Sequence, residues 1–186
     1  MPKIADIEKT PNPNAMKFSL REPLTWGVTH SYDNAGQAQN DALARALFAI
    51  AHVTNVFYVD RWLTVTQDGL ADWEQLAREI AVPLRAAPAA SDQSTATVAA
   101  ARAKFAHLSE HDQQRLDDIN VLLDLEIRPY LQGDGGDLHI LSLHGNQLTV
   151  HYQGACGTCP SSISGTLRGI ENRLRTIEPG IEVIAA

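Results

Sequence analysis

Cys156 and Cys159 are the two cysteines of the chain, and they sit in the run Gly154-Ala155-Cys156-Gly157-Thr158-Cys159-Pro160-Ser161-Ser162. Two intervening residues let both thiolates reach a single metal centre, while Gly154 and Gly157 supply the backbone torsions and close approaches that such a loop needs. Loop amides can also form an anion-binding nest. Pro160 suits the first turn of a helix, which places Cys159 at or beside the N-cap, where the helix dipole and open N–H groups favour thiolate over thiol. Ligand number is the constraint. A closed zinc site or an iron–sulfur cluster commonly takes four protein ligands, and this chain has two thiols. Histidines complete the set, or a second copy of the chain does, or the pair works without metal as a redox couple; spacing alone leaves all three open.

Other candidate groups are weaker. His139, His144 and His151 fall on or beside a predicted hairpin, where exposed strand and turn positions explain them more simply than ligation does. Asp134 and Asp137 lie in Gly133-Asp134-Gly135-Gly136-Asp137, which lacks the spaced oxygen ligands and closing Glu of an EF-hand and reads as a turn. Trp62 and Trp73 read as core residues. The sequence contains no nucleophile motif, no P-loop and no dinucleotide fingerprint, so it supports no enzyme. A net charge of −7, with no cluster of Lys and Arg, argues against a nucleic-acid or anionic-membrane partner.

The cysteine loop must be held by the elements around it. Leu138 to Leu143 and Leu148 to Tyr152 flank Gly145-Asn146, a hairpin signal whose second strand runs into the loop. Ile163, Leu167, Ile170, Leu174 and Ile177 recur as the stripe of a following helix, and Ile181 to Ile184 adds a short strand. Upstream, Leu116, Ile119, Leu122, Leu123 and Ile127 form another apolar stripe, which Pro129 is expected to kink or end. In the first half, Met16 to Leu20 reads as a strand, and Leu43, Ala46, Leu47 and Ile50 as one face of a helix. Asn55 to Val59 and Trp62 to Thr66 read as a hairpin turning at Asp60-Arg61, followed by a helix over Leu70 to Leu84.

Between these halves, Ala86 to Ala101 reads AAPAASDQSTATVAAA, with Val98 its one large apolar residue, and behaves as a linker. The expected architecture is therefore α+β: two small mixed α/β domains joined by a flexible Ala-rich linker, the second of helix–hairpin–CxxC loop–helix type. The expected boundaries are 1–86, 87–109 and 110–186. Residues 1–86 carry 8 basic and 10 acidic groups against 7 and 12 in residues 87–186, so the domain with the cysteines is the more acidic. Met1 to Asp6 lacks the apolar core of a signal peptide and the composition of a transit peptide, and Ala42 to Val53, the most apolar stretch, is broken by Arg45 and His52. A cytoplasmic protein, or one processed into an organelle matrix, is expected.

Several segments together resemble a known family. Ile127-Arg128-Pro129-Tyr130-Leu131, Asp134-Gly135-Gly136-Asp137, the Gly154–Ser162 segment, and Thr166-Leu167 followed by Gly169-Ile170-Glu171 resemble the NifU C-terminal domain in order and spacing. Thr10-Pro11-Asn12-Pro13-Asn14-Ala15-Met16-Lys17-Phe18, with Val56-Phe57 and Leu63-Thr64-Val65-Thr66, resembles the N-terminal domain of Nfu-type iron–sulfur scaffold proteins. The resemblance implies a carrier that holds a [4Fe-4S] cluster between two chains and passes it to apo-proteins, with Cys156 and Cys159 as ligands; it leaves a [2Fe-2S] form open. Ligand arithmetic agrees, since two thiolates from each of two chains give a cubane one per iron. The implied partners are a second copy when the cluster is loaded, cluster donors and apo clients. The Cys-free first domain is implied to recognise donors or clients, against a bland role in solubility or folding. Two rivals use the same pair: a structural zinc ion bridging two chains, and a dithiol oxidoreductase. The second lacks its setting, because a hairpin precedes the pair and little chain follows it.

Overall fold

The computed structural model describes residues 3–90, 105–157 and 163–186, and the chain divides into two units, Met1–Ser94 and Thr95–Ala186. Most of the expected linker, residues 91–104, lies outside the described residues. Each unit is a sheet backed by helices, so the fold is α+β.

In the first unit the elements run β1 (Ile4–Lys9), β2 (Ala15–Leu20), β3 (His30–Tyr32), α1 (Ala42–Phe48), β4 (Val53–Val59), β5 (Trp62–Gln67) and α2 (Trp73–Ala86). Every strand pair is antiparallel, in the order β1-β2-β5-β4-β3. The β4–β5 hairpin turns at Asp60-Arg61 as expected; Asp60 takes φ 48°, a left-handed conformation that Asp tolerates better than most residues. Phe18, Val56, Leu63 and Val65 on the sheet close against Leu47 of α1 and Leu76, Ile80 and Leu84 of α2, all buried. Asp41 caps α1 by accepting from the Ala44 N–H at 2.9 Å, and Asp72 caps α2 through the Glu74 and Gln75 N–H groups. Trp73 stands on this core's margin, its indole N–H donating to the Pro13 carbonyl at 3.1 Å, and Trp62 packs on Phe57.

The second unit begins with a continuous helical run: α3 (Glu110–Leu122), a π-helical turn (Leu123–Ile127) and α4 (Arg128–Gly133). Pro129 therefore does not end the helix. Proline has no N–H and its ring crowds the carbonyl four residues back; the wider π turn accommodates both, and Pro129 falls in the first turn of α4, where it is tolerated. The run leads into β6 (Gly136–His144), β7 (Gln147–Gly154), α5 (Ile163–Leu174) and β8 (Glu182–Ala185). β6 and β7 form the expected hairpin, while β8 lies parallel to β7 on its other side. Leu116, Ile119 and Leu123 from the first helical run, Leu138, Leu148 and Val150 from the sheet, and Ile170 and Leu174 from α5 make one core. Phe105 and Leu108, from the C-terminal end of the expected linker, pack against it. Ile177 lies beyond α5 and is exposed, so it is not part of the helical stripe.

Candidate metal centre

The register of the β6–β7 hairpin pairs Gly136 with Gly154, bringing the Gly-rich end of α4 alongside the cysteine loop. Gly154 turns the chain at φ 62°, Ala155 N–H donates to the Gly135 carbonyl at 3.1 Å, and Gly157 N–H donates back to the Gly154 carbonyl at 3.2 Å. Cys156 is thereby seated on the hairpin's open end, 9% exposed. A Cβ placed on Gly136 would lie 2.5 Å from the Cys156 sulfur and 2.8 Å from both the Cys156 Cβ and the Gln153 carbonyl oxygen. The sulfur therefore occupies the space above a glycine that no other residue can replace without movement. A Cβ on Gly157 would meet the Tyr152 carbonyl at 2.8 Å, so the loop is close-packed on both sides of the cysteine.

Asp137 is not a turn residue. The strand starts at Gly136, one residue before it, and Asp137 is buried at 5% exposure. Its carboxylate accepts from its neighbour's N–H at Leu138 (2.7 Å), from the Gln132 amide (3.3 Å) and from Arg128, whose Nη1 lies 3.4 Å away. Burial pushes the Asp137 carboxyl up, opposed by the Arg128 charge and these hydrogen bonds. Arg128 also pairs with Asp124 one turn earlier at 2.7 Å, so an acidic–basic strut ties the π turn and α4 to the first residues of β6. Asp134 stands at the C-cap of α4.

Tyr152 projects into the same core as Cys156. Among the described residues its buried hydroxyl has no hydrogen-bond partner, and burial first, then the nearby Cys156 charge, pushes its ionisation far up. It stays a neutral phenol beside the cysteine. Cys159 and the expected helix start at Pro160 lie outside the described residues. His139 and His151 face each other across the hairpin, on the side opposite Leu138 and Val150, and His144 is exposed at the end of β6. Among the described residues, no three His, Cys, Asp or Glu side chains stand together as a metal site. The spacing of the cysteines pointed to the loop directly, whereas Gly136 acts through Cys156, 20 positions away, and Arg128 and Tyr152 act through contacts that only folding makes; the Gly135-Gly136 doublet and the segment around Arg128 were the visible signals.

Comparison with known proteins supplies the family. The model of the scaffold protein Nfu/NifU N terminal matches residues 4–89, and that of the NifU-like domain matches residues 119–184. The human protein "NFU1 iron-sulfur cluster scaffold homolog, mitochondrial" is 32% identical over 181 residues, which cover 94% of this chain and 68% of the human one. This chain belongs to the Nfu iron–sulfur cluster scaffold family. "NifU-like protein 5, mitochondrial" of Arabidopsis thaliana is also 32% identical, over 90% of this chain; the match spans 62% of that protein's own length, just under two thirds. A Staphylococcus aureus protein, SAV1430, has a crystal structure that overlays 44% of this chain and 96% of its own at 26% identity with a TM-score of 0.39. The Nfu family is one of scaffolds rather than catalysts, in line with a chain that carries no catalytic motif. Among the described residues, no helix of this Nfu chain is long and apolar enough to cross a membrane.

Proposed function

We propose that this Nfu chain carries its iron–sulfur cargo as a [4Fe-4S] cluster bridging two copies, each contributing Cys156 and Cys159, and hands it to apo-proteins. The observation that carries this reading is the seat of Cys156. Its sulfur is held against the bare Cα of Gly136 at the open end of a hairpin, and three residues later the chain supplies its other thiol. The chain has two thiols and a cubane takes four ligands, a number that two copies supply. Two ligands per chain also suit release, because an acceptor's thiolates can displace them stepwise. On this reading residues 110–186 hold the cargo, residues 87–109 connect, and residues 1–86 recognise donors or clients. The protein works in the cytoplasm or an organelle matrix, the latter supported by the human and Arabidopsis relatives, both named as mitochondrial.

Anaerobic reconstitution with iron and sulfide tests the proposal. Four irons and four acid-labile sulfides per dimer are expected by native mass and metal analysis. Cys156→Ala and Cys159→Ala should each abolish loading while leaving the circular dichroism spectrum intact. Undiminished cluster yield in either variant, or zinc bound in place of iron, overturns it.

A further inference from the structure

On the outer side of the helical run that opens the second unit, Val121, Leu125 and Tyr130 are 58%, 73% and 76% exposed, the most exposed large apolar side chains described in that unit. A helix on the surface of a globular unit ordinarily turns such residues inward and polar ones out. Val121, Leu125 and Pro129 recur every four residues, with Tyr130 beside the last. On a regular α-helix that spacing drifts about 40° per step. The π turn over Leu123–Ile127 is wider and removes most of the drift, so the three stay in line on the side away from buried Leu116, Ile119 and Leu123.

The stripe leads to the cysteine loop. The Tyr130 carbonyl accepts the Asp134 N–H at 3.0 Å, closing the last turn of α4, and the carbonyl of the next residue, Gly135, accepts the Ala155 N–H at 3.1 Å. Tyr130 thus stands one helical turn from the glycine pair on which Cys156 is seated. Charges beside the stripe are already paired within the chain: Asp124 with Arg128 at 2.7 Å and Glu126 with Arg173 at 3.1 Å. Asp117 and Asp118 lie a turn before Val121, at the end far from the loop. Near the loop, therefore, both signs flank the apolar line, and two copies of it meet there without a build-up of like charge.

We infer that Val121, Leu125 and Tyr130 form the surface on which a second copy of this chain seats itself when the cluster is loaded. On the bridging reading proposed above, on which this surface depends, the cluster is incomplete in one copy, and sharing it brings the two cysteine loops together with whatever adjoins them. A twofold pair presents the same patch from both sides, so the patch has to complement itself, as an apolar line with flanks of both signs does. Burial of an aromatic and an aliphatic anchor, Tyr130 and Leu125, then adds apolar contact to a tie otherwise made by four exchangeable thiolates. A basic segment of an acceptor, the rival occupant for an apolar face on an acidic unit, would find the carboxylates nearest the loop already paired.

The test uses the full chain, reconstituted anaerobically with iron and sulfide. Wild type should give a cluster-loaded dimer by native mass; a loaded monomer, or no cluster, fails the bridging reading itself and this surface with it. Leu125→Glu combined with Tyr130→Ser leaves both cysteines in place and should raise the dissociation constant of the loaded dimer at least about tenfold. Ile184→Glu on β8, 38% exposed beside the turn end of the hairpin, should not change it. A photoreactive p-benzoylphenylalanine in place of Leu125 should crosslink two chains in the loaded protein, with the product mapping to residues 117–131 of the other copy. A double variant whose loaded dimer is as tight as wild type, with no chain-to-chain product from position 125, would leave the cluster reading standing and overturn the surface. An unchanged dimer with slowed transfer to an apo acceptor would give the stripe to the acceptor and overturn it as well. Because the crosslink does not need the double variant, poor folding of that variant leaves the answer intact.

Discussion

At Gly136 a sulfur stands where a side chain would go. Adding one methyl group puts carbon 2.5 Å from the Cys156 sulfur, well inside contact distance, and 2.8 Å from the Gln153 carbonyl, which belongs to the paired strand and cannot rotate away. Relief therefore comes from moving Cys156 or opening the hairpin's end. Gly136→Ala should lower cluster loading although both thiols remain, and should destabilise the C-terminal unit by about 1–3 kcal/mol, as overpacking does. Iron content after reconstitution and a denaturant melt check both arms; a variant that loads and melts like wild type shows that the cradle is slack. The same contact explains what the sequence could and could not disclose. Cys156 and Cys159 are legible because a metal-binding pair announces itself by local spacing. Gly136 is not, because its role depends on a partner 20 positions away that the register of the hairpin brings to it. Asp137 misled for a related reason: preceded by Gly135-Gly136 it has the composition of a turn, and only burial next to Arg128 shows it to be a strand residue and half of a strut.

Elements were readable where their periodicity is undisturbed, as in the two hairpins and α2, and obscured where the backbone departs from a regular period. β1 carries Ile4 and Ile7, three apart, which would point to opposite faces of a regular strand. A register shift between Ile4 and Asp6 resets the alternation, so both come to face the groove against α2. β3 spans three residues, too few to show any period. Its placement depends instead on a polar cluster that pins it to α1. Tyr32 of β3 donates to the Asp41 carboxylate at 2.8 Å, Tyr58 of β4 donates to the same oxygen, and His30 lies 3.3 Å from it while stacking on Tyr58. Burial by itself pushes the Asp41 carboxyl up, but hydrogen bonds from His30, the Ala44 N–H, Tyr58 and Tyr32 outweigh it and hold the group well below the usual carboxylate range. The sign of the pH effect follows. A folded-state value below the unfolded one, about 3.9, gives stability that is complete above that pH and is lost as pH falls through it. Asp41→Asn keeps a capping side chain but removes the charge, and should cost about 1–2 kcal/mol at pH 7. It should also flatten the acid limb below about pH 4. All three tryptophans belong to residues 1–86, so their fluorescence during urea melts across pH reports on this unit alone. An acid limb as steep in the variant as in wild type would place the acid sensitivity elsewhere.

Two units of different chemistry share this chain. The second contains both thiols and the larger acidic excess, while the first has no cysteine and cannot ligate a cluster through sulfur. What the first unit has is an open, mainly apolar groove between the edge strand β1 and α2, bordered by Ile4, Ile7, Met16, Trp73 and Ala77, with Arg78 and Arg85 along the helix. Ile7 is 43% exposed there, on β1, which among the described residues is an edge strand of the sheet. A surface of this kind suits recognition of another protein better than it suits folding, for which an exposed isoleucine does little. If the first unit holds a client while the second presents the cluster, tethering raises the acceptor's effective concentration at the cluster, and transfer to that client should be faster than from the second unit alone. Ile7→Glu places a charge in the groove at a position exposed enough to leave the fold intact. It should slow cluster transfer to an apo acceptor without changing how much cluster the protein loads, and removing residues 1–86 should slow transfer at least as much. Transfer measured by the acceptor's regained activity, alongside iron content of the donor, separates the two effects. Equal transfer rates from wild type, Ile7→Glu and the shortened chain would mean that client choice is made entirely by the cluster-bearing unit, and that the first unit serves solubility or folding instead.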